Sequence, residues 1–521
     1  MDNYDDSLPS SSPASWSPSS PPTTPEISDD GFDIERLPSL FESRAGNAET
    51  AGSNGRELLS PQHVSNGSPT FVLVIGGLGY IGSHTVLELL RASQNVIIVD
   101  NLSNSYESVL DSIKLLTANH CKVEGIPVPL IHFHRLDYRS RSMRFLLESY
   151  TDLVMTIDAG GQQNMTYRSR IESVIHFAAY KSVVDSLKHP LRYYQNNVCG
   201  LVSLLQQLDK YGIHNFIFSS SATVYGTKSN SGRPLQEEDV VHHAEEHVDL
   251  AGTSSVLQPS AVGLSCPYAR TKYFSEAILA DVAATNAAWR IVALRYFNPV
   301  GCDPSGLLGE NPRGEATNLY PVLTQVLAGV RKSLDVFGTD WATPDGTAIR
   351  DFIHVLDVAR GHMAAMAWNA ARGDGFRAFN LGSGSGTSVL EAVRSLEAAA
   401  GRSIPLTWSG RRPGDVGVCV ASTERAQNEL GWSPHESVAQ CAADLWNFVK
   451  RRMARDGTSG SALQELASLR VNVKLDRFGL ASARHNRAAC ILGPFFQFLE
   501  DEGRKVLAAE ILAWIDRYHS S

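Results

Sequence analysis

The run Phe71 to Ile75 (FVLVI) is apolar at every position and breaks straight into Gly76-Gly77-Leu78-Gly79-Tyr80-Ile81-Gly82, after which HTVLELLRAS takes up an amphipathic helical period. Few folds satisfy that order of signals, because a buried strand must turn sharply and start a helix within a few residues. Gly76, Gly79 and Gly82 suit the turn: glycine permits positive φ and lets backbone approach a pyrophosphate, which the helix N-terminus meets with free N–H groups. Three glycines alone are a weak signal. The next strand, NVIIVD, sharpens it by ending on Asp100 roughly 20 residues downstream, where a carboxylate accepts hydrogen bonds from ribose hydroxyls. The same negative charge repels a 2′-phosphate, which favours NAD over NADP as cofactor.

Short apolar runs go on alternating with longer amphipathic ones, through SVIHFAA, LVSLLQQLDKYG, NFIFSSS and WRIVALRYF. That alternation predicts an α/β fold, a Rossmann-type doubly wound parallel sheet covered by helices on both faces, over residues 71–300. Two polar stretches, about 151–170 and 228–265, read as surface insertions. Residues 301–452 are richer in Gly, Pro and isolated polar residues and suit a smaller C-terminal substrate-binding lobe. Residues 1–70 are dominated by Ser, Pro, Asp, Glu, Asn and Gly, cannot bury enough apolar area to offset backbone entropy, and predict a disordered N-terminal tail. Six of its Ser-Pro or Thr-Pro steps, at Ser12, Ser17, Ser20, Thr24, Ser60 and Ser68, are candidate phosphate acceptors. Within the tail, FDIERLPSLF reads as a short apolar recognition element whose helix Pro38 would limit. Residues 453–521 form a C-terminal extension with helical periodicity in GRKVLAAEILAWIDRY, suited to docking on the main body or to a partner.

A hydrophobic share of 43% with 19% charged residues is that of a soluble globular protein, and a formal charge of -9 offers no general attraction for nucleic acid or an anionic membrane. No apolar run approaches a bilayer span and the acidic N-terminus resembles no targeting signal, so the expected compartment is the cytosol. The seven cysteines are scattered without a CxxC pair, which argues for reduced thiols and against a zinc site. His242, His243 and His247, in VHHAEEHVDL, read as part of a solvated acidic loop, with no metal expected.

In CPYARTKY, Tyr268 and Lys272 stand four residues apart and share one face of any helix built there. A free tyrosine has a pKa near 10, about three units too high for a base at neutral pH; a nearby ammonium, together with the positive nicotinamide ring, favours the phenolate. Such a pair recurs by chance, so its context matters. In FSSSATVYG, Ser221 closes an apolar strand, where its hydroxyl can bond a substrate hydroxyl or a developing oxyanion.

The glycine turn, Asp100, Ser221, Tyr268 and Lys272 follow the chain order of a short-chain dehydrogenase/reductase. More closely, GGLGYIGSHTV, VDNLSNS, VIHFAA, LRYYQNNV, FIFSSSATVYG, PYARTKYFSE, LRYFNPVG and GTAIRDFIHVLDVA resemble the successive motifs of the UDP-glucose 4-epimerases, extended members of that family, over about residues 71–452. Sugar-nucleotide dehydratases carry an acid in the strand-end motif; here Ser221-Ala222-Thr223 has none. The resemblance implies that Tyr268 takes the O4 proton while C4 gives a hydride to NAD, that a 4-keto sugar turns over in the pocket, and that the hydride returns to its other face. UDP-galactose and UDP-glucose are thus interconverted with no net redox change.

It further implies that the cofactor meets Tyr80, Ile81, Asp100, Asn101, Leu102, Ser103, Asn104, Ser105, Asp137, Tyr138, Phe177, Ala178, Ala179, Tyr180, Lys181, Asn196 and Phe297, although Phe177 and Phe297 equally suit a core. The nucleotide-sugar would meet Asn298, Asn318, Leu319, Val336, Phe337, Arg350, Arg412, Asp415 and Cys419. For a diphosphate on an acidic protein, Arg350 and Arg412 are the chemically necessary members, because guanidinium forks phosphate oxygens. A homodimer is also implied.

Three positions depart from the family pattern. Ile75 stands where a threonine hydroxyl is usual, and Leu136 and Ala179 replace common glycines, adding bulk near NAD. Cys419 stands where members restricted to hexoses without a 2-acetamido group have tyrosine, so activity on UDP-N-acetylglucosamine and its galacto epimer is expected too. The alternatives are an epimerase of another UDP-sugar, such as a pentose or uronate, and a catalytically idle NAD-binding regulatory protein.

Overall fold

In the computed structural model of the chain, residues 68–455 are described apart from 158–162, 249–251, 315, 373–374 and 413–414. Of the tail expected over 1–70, residues 1–67 with its apolar element, and of the extension expected over 453–521, the residues from 456, lie outside the described residues; 453–455 end helix Val438–Arg455.

In chain order the strands are β1 (Phe71–Ile75), β2 (Val96–Asp100), β3 (Ile131–Arg135), β4 (Thr151–Ile157), β5 (Gln163–Ser169), β6 (Ile171–His176), β7 (Asn215–Ser221), β8 (Glu245–Val248) and β9 (Ser254–Leu257). There follow β10 (Arg290–Tyr296), β11 (Asn298–Val300), β12 (Leu334–Phe337), β13 (Ile349–His354), β14 (Gly375–Leu381), β15 (Gly386–Ser388), β16 (Leu406–Ser409) and β17 (Val418–Cys419). The helices are α1 (Tyr80–Arg91), α2 (Ser108–Glu124), α3 (Arg141–Ser149), α4 (Val183–Lys188), α5 (Pro190–Tyr193), α6 (Gly200–Lys210), α7 (Pro267–Thr285), α8 (Leu319–Leu327), α9 (Val355–Arg372), α10 (Val389–Ala400) and α11 (Val438–Arg455).

A seven-stranded sheet in the order β14-β10-β7-β6-β1-β2-β3 organises the molecule, and each of its pairings is parallel. Because both faces are covered, its strands are apolar on both sides. Leu73, Ile97, Phe216 and Ile291 face α3, α6 and α7, while Val74, Ile98, Ile217 and Val292 face α1, α2 and α9. Each such buried aliphatic side chain contributes about 1.5–3 kcal/mol. The direction of winding reverses between β1 and β6, and in an open sheet of this kind ligands bind where the strand ends part.

After β10 the chain leaves the sheet to start a second core with Leu323 and Val336, returns through α9 and β14, and then completes that core with Val393 and Trp446. The lobe and the Rossmann layer therefore interleave in sequence. The lobe's own strands form two small sheets, β11-β13-β15 with β17 on β13, and β12-β16.

Within the stretch 151–170, β4 and β5 pair antiparallel outside the main sheet, with Leu153, Met155, Met165 and Tyr167 exposed. The expectation of a wholly superficial insertion at 228–265 does not hold. Leu235, Glu237, Val240 and Val241 are buried. The cause is Arg295, an arginine in the apolar strand β10, whose guanidinium takes the carbonyls of Glu237 and Val240 as partners. His242 likewise belongs to no solvated loop: its side chain is 2% exposed and its Nε2 lies 2.8 Å from Glu276 Oε2. Among the described residues no helix is long and apolar enough to cross a membrane.

Candidate active site

The turn after β1 is shaped by steric necessity. Gly76 has φ +80°, and a Cβ there would stand 2.8 Å from the backbone nitrogen of Ala178. A Cβ on Gly82 would lie 2.3 Å from the Gly76 carbonyl, so helix and strand approach closely only because neither residue has a side chain. With Gly79 as its N-cap and no side-chain cap, α1 presents first-turn N–H groups, those of Tyr80 and Ile81 among them, to whatever occupies the cleft. The Tyr80 side chain turns away, its hydroxyl donating to the Gly301 carbonyl at 2.7 Å.

Asp100 ends β2 with its carboxylate accepting from Leu78 N at 3.0 Å, Leu102 N at 2.8 Å and Ser105 Oγ at 2.9 Å. An ionised carboxylate offers about four lone-pair sites, so room for one hydroxyl donor remains. The loop it holds carries Leu102 at φ +58°, and Ser103 N donates to Asn101 Oδ1. Asn104 Oδ1 accepts from Arg313 N and the Ser105 carbonyl from Arg313 Nε, which ties this loop to the lobe.

On the other side of the switch point, Phe177 N and Ala178 N donate to the Ile75 carbonyl. Ala179 is half-buried, and Asn197 clamps both backbone groups of Tyr180 while donating to Thr271 on α7. Asn197 and the buried Asn196 share a π-helical turn, Tyr194–Cys199, and such bulges are frequent at functional sites. Tyr138 donates to the Asn196 carbonyl, Asp137 is paired with Arg139, and Lys181 with Glu310. Leu136, whose bulk was expected near NAD, packs against the sheet core, and Ile75, which stands where a threonine hydroxyl is usual, is buried in that core.

Tyr268, Lys272 and Ser221 come together at the end of β7. Helix α7 starts at Pro267 with Cys266 Sγ accepting from Ala269 N, so Tyr268 lies in its first turn, beside the strand end. Ser221 Oγ caps the next turn by accepting from Thr223 N, and hydrogen-bonds the Tyr268 phenol. The expected lowering of the phenol's pKa by Lys272 is not what this geometry gives. Burial pushes Tyr268 up to about 12, opposed by the Ser221 hydrogen bond, while Lys272 Nζ donates to the Ser219 carbonyl instead. Burial also pushes Lys272 down to about 7, with the Glu276 carboxylate pulling the other way.

At the lobe, Arg350 Nη2 lies 2.5 Å from Asp415 Oδ1 and Arg412 Nη2 lies 3.3 Å from Asp415 Oδ2, so one carboxylate orders two guanidiniums. Arg412 stacks on the Phe337 ring at 4.5 Å. Cys419 is the register partner of Arg350 and packs in the small cluster that holds Ala222 and Phe297. Asn298 Nδ2 donates to the Asp351 carbonyl. Val336 is buried in the lobe core and Leu319 packs against it, so any ligand would meet their backbone; Asn318, the N-cap of α8, is exposed.

Sequence reasoning missed the layer beneath. Glu276 accepts from Arg295, Ser220 and His242, all buried. Two signals were available: an arginine inside an apolar strand, and a glutamate four residues after Lys272 on the same helix face.

Residues 72–382 match the model of the NAD dependent epimerase/dehydratase family. Among curated proteins, the chain is 42% identical over 378 residues to UDP-glucose 4-epimerase 2 of Arabidopsis thaliana, covering 73% of this chain and 94% of that one. It is 37% identical over 377 residues to UDP-glucose 4-epimerase of Bacillus subtilis, covering 72% and 96%. Among solved structures, UDP-glucose-4-epimerase from Stenotrophomonas maltophila with bound NAD and formylated UDP-arabinopyranose superposes with TM-score 0.61 at 37% identity, over 74% of this chain and 99% of that one. The Bifidobacterium longum enzyme in complex with NAD+ and UDP gives 0.60 at 37% identity, over 73% and 98%.

Proposed function

The chain belongs to the NAD dependent epimerase/dehydratase family, and from that premise we propose that it is an active UDP-glucose 4-epimerase interconverting UDP-galactose and UDP-glucose with tightly held NAD. The observation that carries the reading is the meeting of Tyr268, Ser221 and Lys272 at the switch-point edge of the sheet, with Thr223 rather than an acid beside them. The glycine cradle, which a Cβ at Gly76 or Gly82 would fill, and the spare acceptor site on Asp100 fit a dinucleotide.

Held by the glycine cradle and Asp100, NAD would supply a reversible hydride acceptor for C4 of the sugar. Tyr268 takes the proton from the O4 hydroxyl onto its phenolate oxygen and later gives it back. Ser221 holds O4 by hydrogen bond, and Lys272 supplies positive charge and further N–H donors below the pair. Arg350 and Arg412 hold the diphosphate, so the sugar can turn while its anchor stays fixed. No acid beside Ser221 drives loss of water, which favours epimerisation over dehydration.

Incubating the purified protein with UDP-galactose and separating the products tests the reading; UDP-glucose is expected, and its absence overturns the proposal. We further propose that N-acetylated UDP-hexoses are substrates, because Cys419, packed beside Phe297 and Ala222, is smaller than the tyrosine of hexose-restricted members. Cys419→Tyr should lower activity on UDP-N-acetylglucosamine relative to UDP-glucose. A homodimer is supported by the exposed apolar side chains Leu187, Leu191 and Phe274 on α4, α5 and α7. Leu191→Glu/Phe274→Glu should then sediment as a monomer where the parent does not. The cytosol remains the proposed compartment.

A further inference from the structure

We propose that Glu276 is a positioning residue for the catalytic pair: its buried carboxylate keeps Lys272 in the ammonium form and pins the strand end that carries Ser221. This deepens the epimerase reading and rests on it. Tyr268, Lys272 and Glu276 occupy positions i, i+4 and i+8 of α7, one above another on a single face. Two bonds cross from that face to consecutive residues of β7: Lys272 Nζ donates to the Ser219 carbonyl, and Ser220 Oγ donates to Glu276. Ser221 is the next residue along the strand. Any tilt of α7 against β7 that would separate Tyr268 from Ser221 must break one of these two bonds.

A carboxylate in the interior stays ionised only if it is paired. Burial alone would raise the pKa of Glu276, but the charge of Arg295 and hydrogen bonds from His242 and Arg295 hold it well below the usual carboxylate range. The other groups facing Glu276 are Ser220, Lys272 and the phenols of Tyr225 and Tyr273, whose ionisation it opposes. Lys272, 3% exposed, faces the Phe218 ring at 4.7 Å, the Ser219 carbonyl, and His176, which burial pushes down to about 3 and so keeps uncharged. Glu276 is the negative charge opposing the burial of Lys272. Without it the lysine, already at about 7, drops below neutrality and the strand end that carries Ser221 loses the positive charge held at the Ser219 carbonyl.

The test compares Glu276→Gln and Glu276→Asp with the parent in UDP-galactose turnover across pH. For Glu276→Gln the high-pH limb of kcat should move down by about one unit, with kcat at pH 7 falling about fivefold and KM little changed. Glu276→Asp, which keeps the charge, should keep the limb while losing rate through the shortened reach to Ser220. A second readout needs no substrate: the pH window in which Lys272→Met alters thermal stability should begin about one unit lower in the Glu276→Gln background. Limbs and windows that coincide with the parent's overturn the proposal, because a packing role alone would change amplitude and not position. If Glu276→Gln does not fold, Glu276→Gln/Arg295→Met removes the stranded guanidinium and is read in the same way. A parent that converts no UDP-galactose overturns the epimerase reading instead, and the stability window then still decides the coupling of Glu276 to Lys272.

Discussion

Two rows of alternating charge lie at the candidate site, one in the interior and one at the lobe. Lys272, Glu276 and Arg295 alternate through the interior, with both partners of the Arg295–Glu276 pair 0% exposed. At the lobe, Arg350, Asp415 and Arg412 repeat the alternation with side chains 18%, 14% and 57% exposed. Each row sums to one positive charge, yet they suit opposite tasks. In the dry row, burial moves the lysine to about 7 and makes every charge depend on its neighbour. The lobe row is open to water and salt chiefly at Arg412, and its two arginines share Asp415 while offering guanidinium forks of the kind that grip phosphate. Burial makes the charge of a cation depend on its partners; partial exposure suits one that must only grip and release.

The sharpest way to separate the rows is to remove one chemical function from each. Tyr268→Phe should lower kcat by about 10²–10⁴-fold with KM little changed, since general acid–base catalysis supplies that much and the phenol does not anchor the nucleotide. Steady-state kinetics with UDP-galactose check this, and an unchanged kcat would remove Tyr268 from the chemistry. Arg295→Met should cost about 3–5 kcal/mol in urea unfolding, because it strands Glu276 as an unpaired buried charge. A loss within error of zero would mean that the interior row is not coupled as described.

Protonation distinguishes the rows next. The folded pKa of Lys272, about 7, lies below its ordinary 10.5, so between those values the unfolded chain binds more protons. The lysine's contribution to stability therefore rises with pH through that window. Lys272→Met should flatten the rise in melting temperature from pH 7 to 9 relative to the parent, whereas Arg350→Ala should leave its slope alone. Arg350→Ala should instead raise KM about 10–100-fold at constant kcat, the expected worth of charge-assisted bonds to phosphate.

How much of this was legible in the chain depends on what writes each feature. The turn at Gly76 to Gly82 is written locally, because a missing Cβ appears as a glycine and its spacing follows from the strand and helix on either side. The alternation of elements gave the parallel sheet for the same reason. By contrast, the bond of Lys272 to the Ser219 carbonyl, which denies the phenol its expected nearest cation, depends on where a distant strand end lies. The segment 235–242 read as superficial because its polarity was visible, while the buried Arg295 that draws it inward was 50 or more residues away. Arg350, Asp415 and Arg412 carry no local pattern at all, and only resemblance singled them out.

Arg412 offers the smallest and most conditional effect. Its side chain is more than half exposed and shares Asp415 with the better-buried Arg350, while its guanidinium lies over the Phe337 ring. An exposed charge contributes about 0–1 kcal/mol, so Arg412→Ala should raise KM by no more than about fivefold at low ionic strength. Screening shortens the reach of a rim charge from about 30 Å at 0.01 M salt to about 8 Å at 0.15 M, so the deficit should shrink as salt is added. Arg350→Ala should keep most of its larger deficit under the same titration, because its partner carboxylate and the bound diphosphate exclude solvent around it. If the two variants lose affinity in parallel at every salt concentration, Arg412 is as enclosed as Arg350 once substrate is bound, and the lobe must close further over the nucleotide than the free protein does.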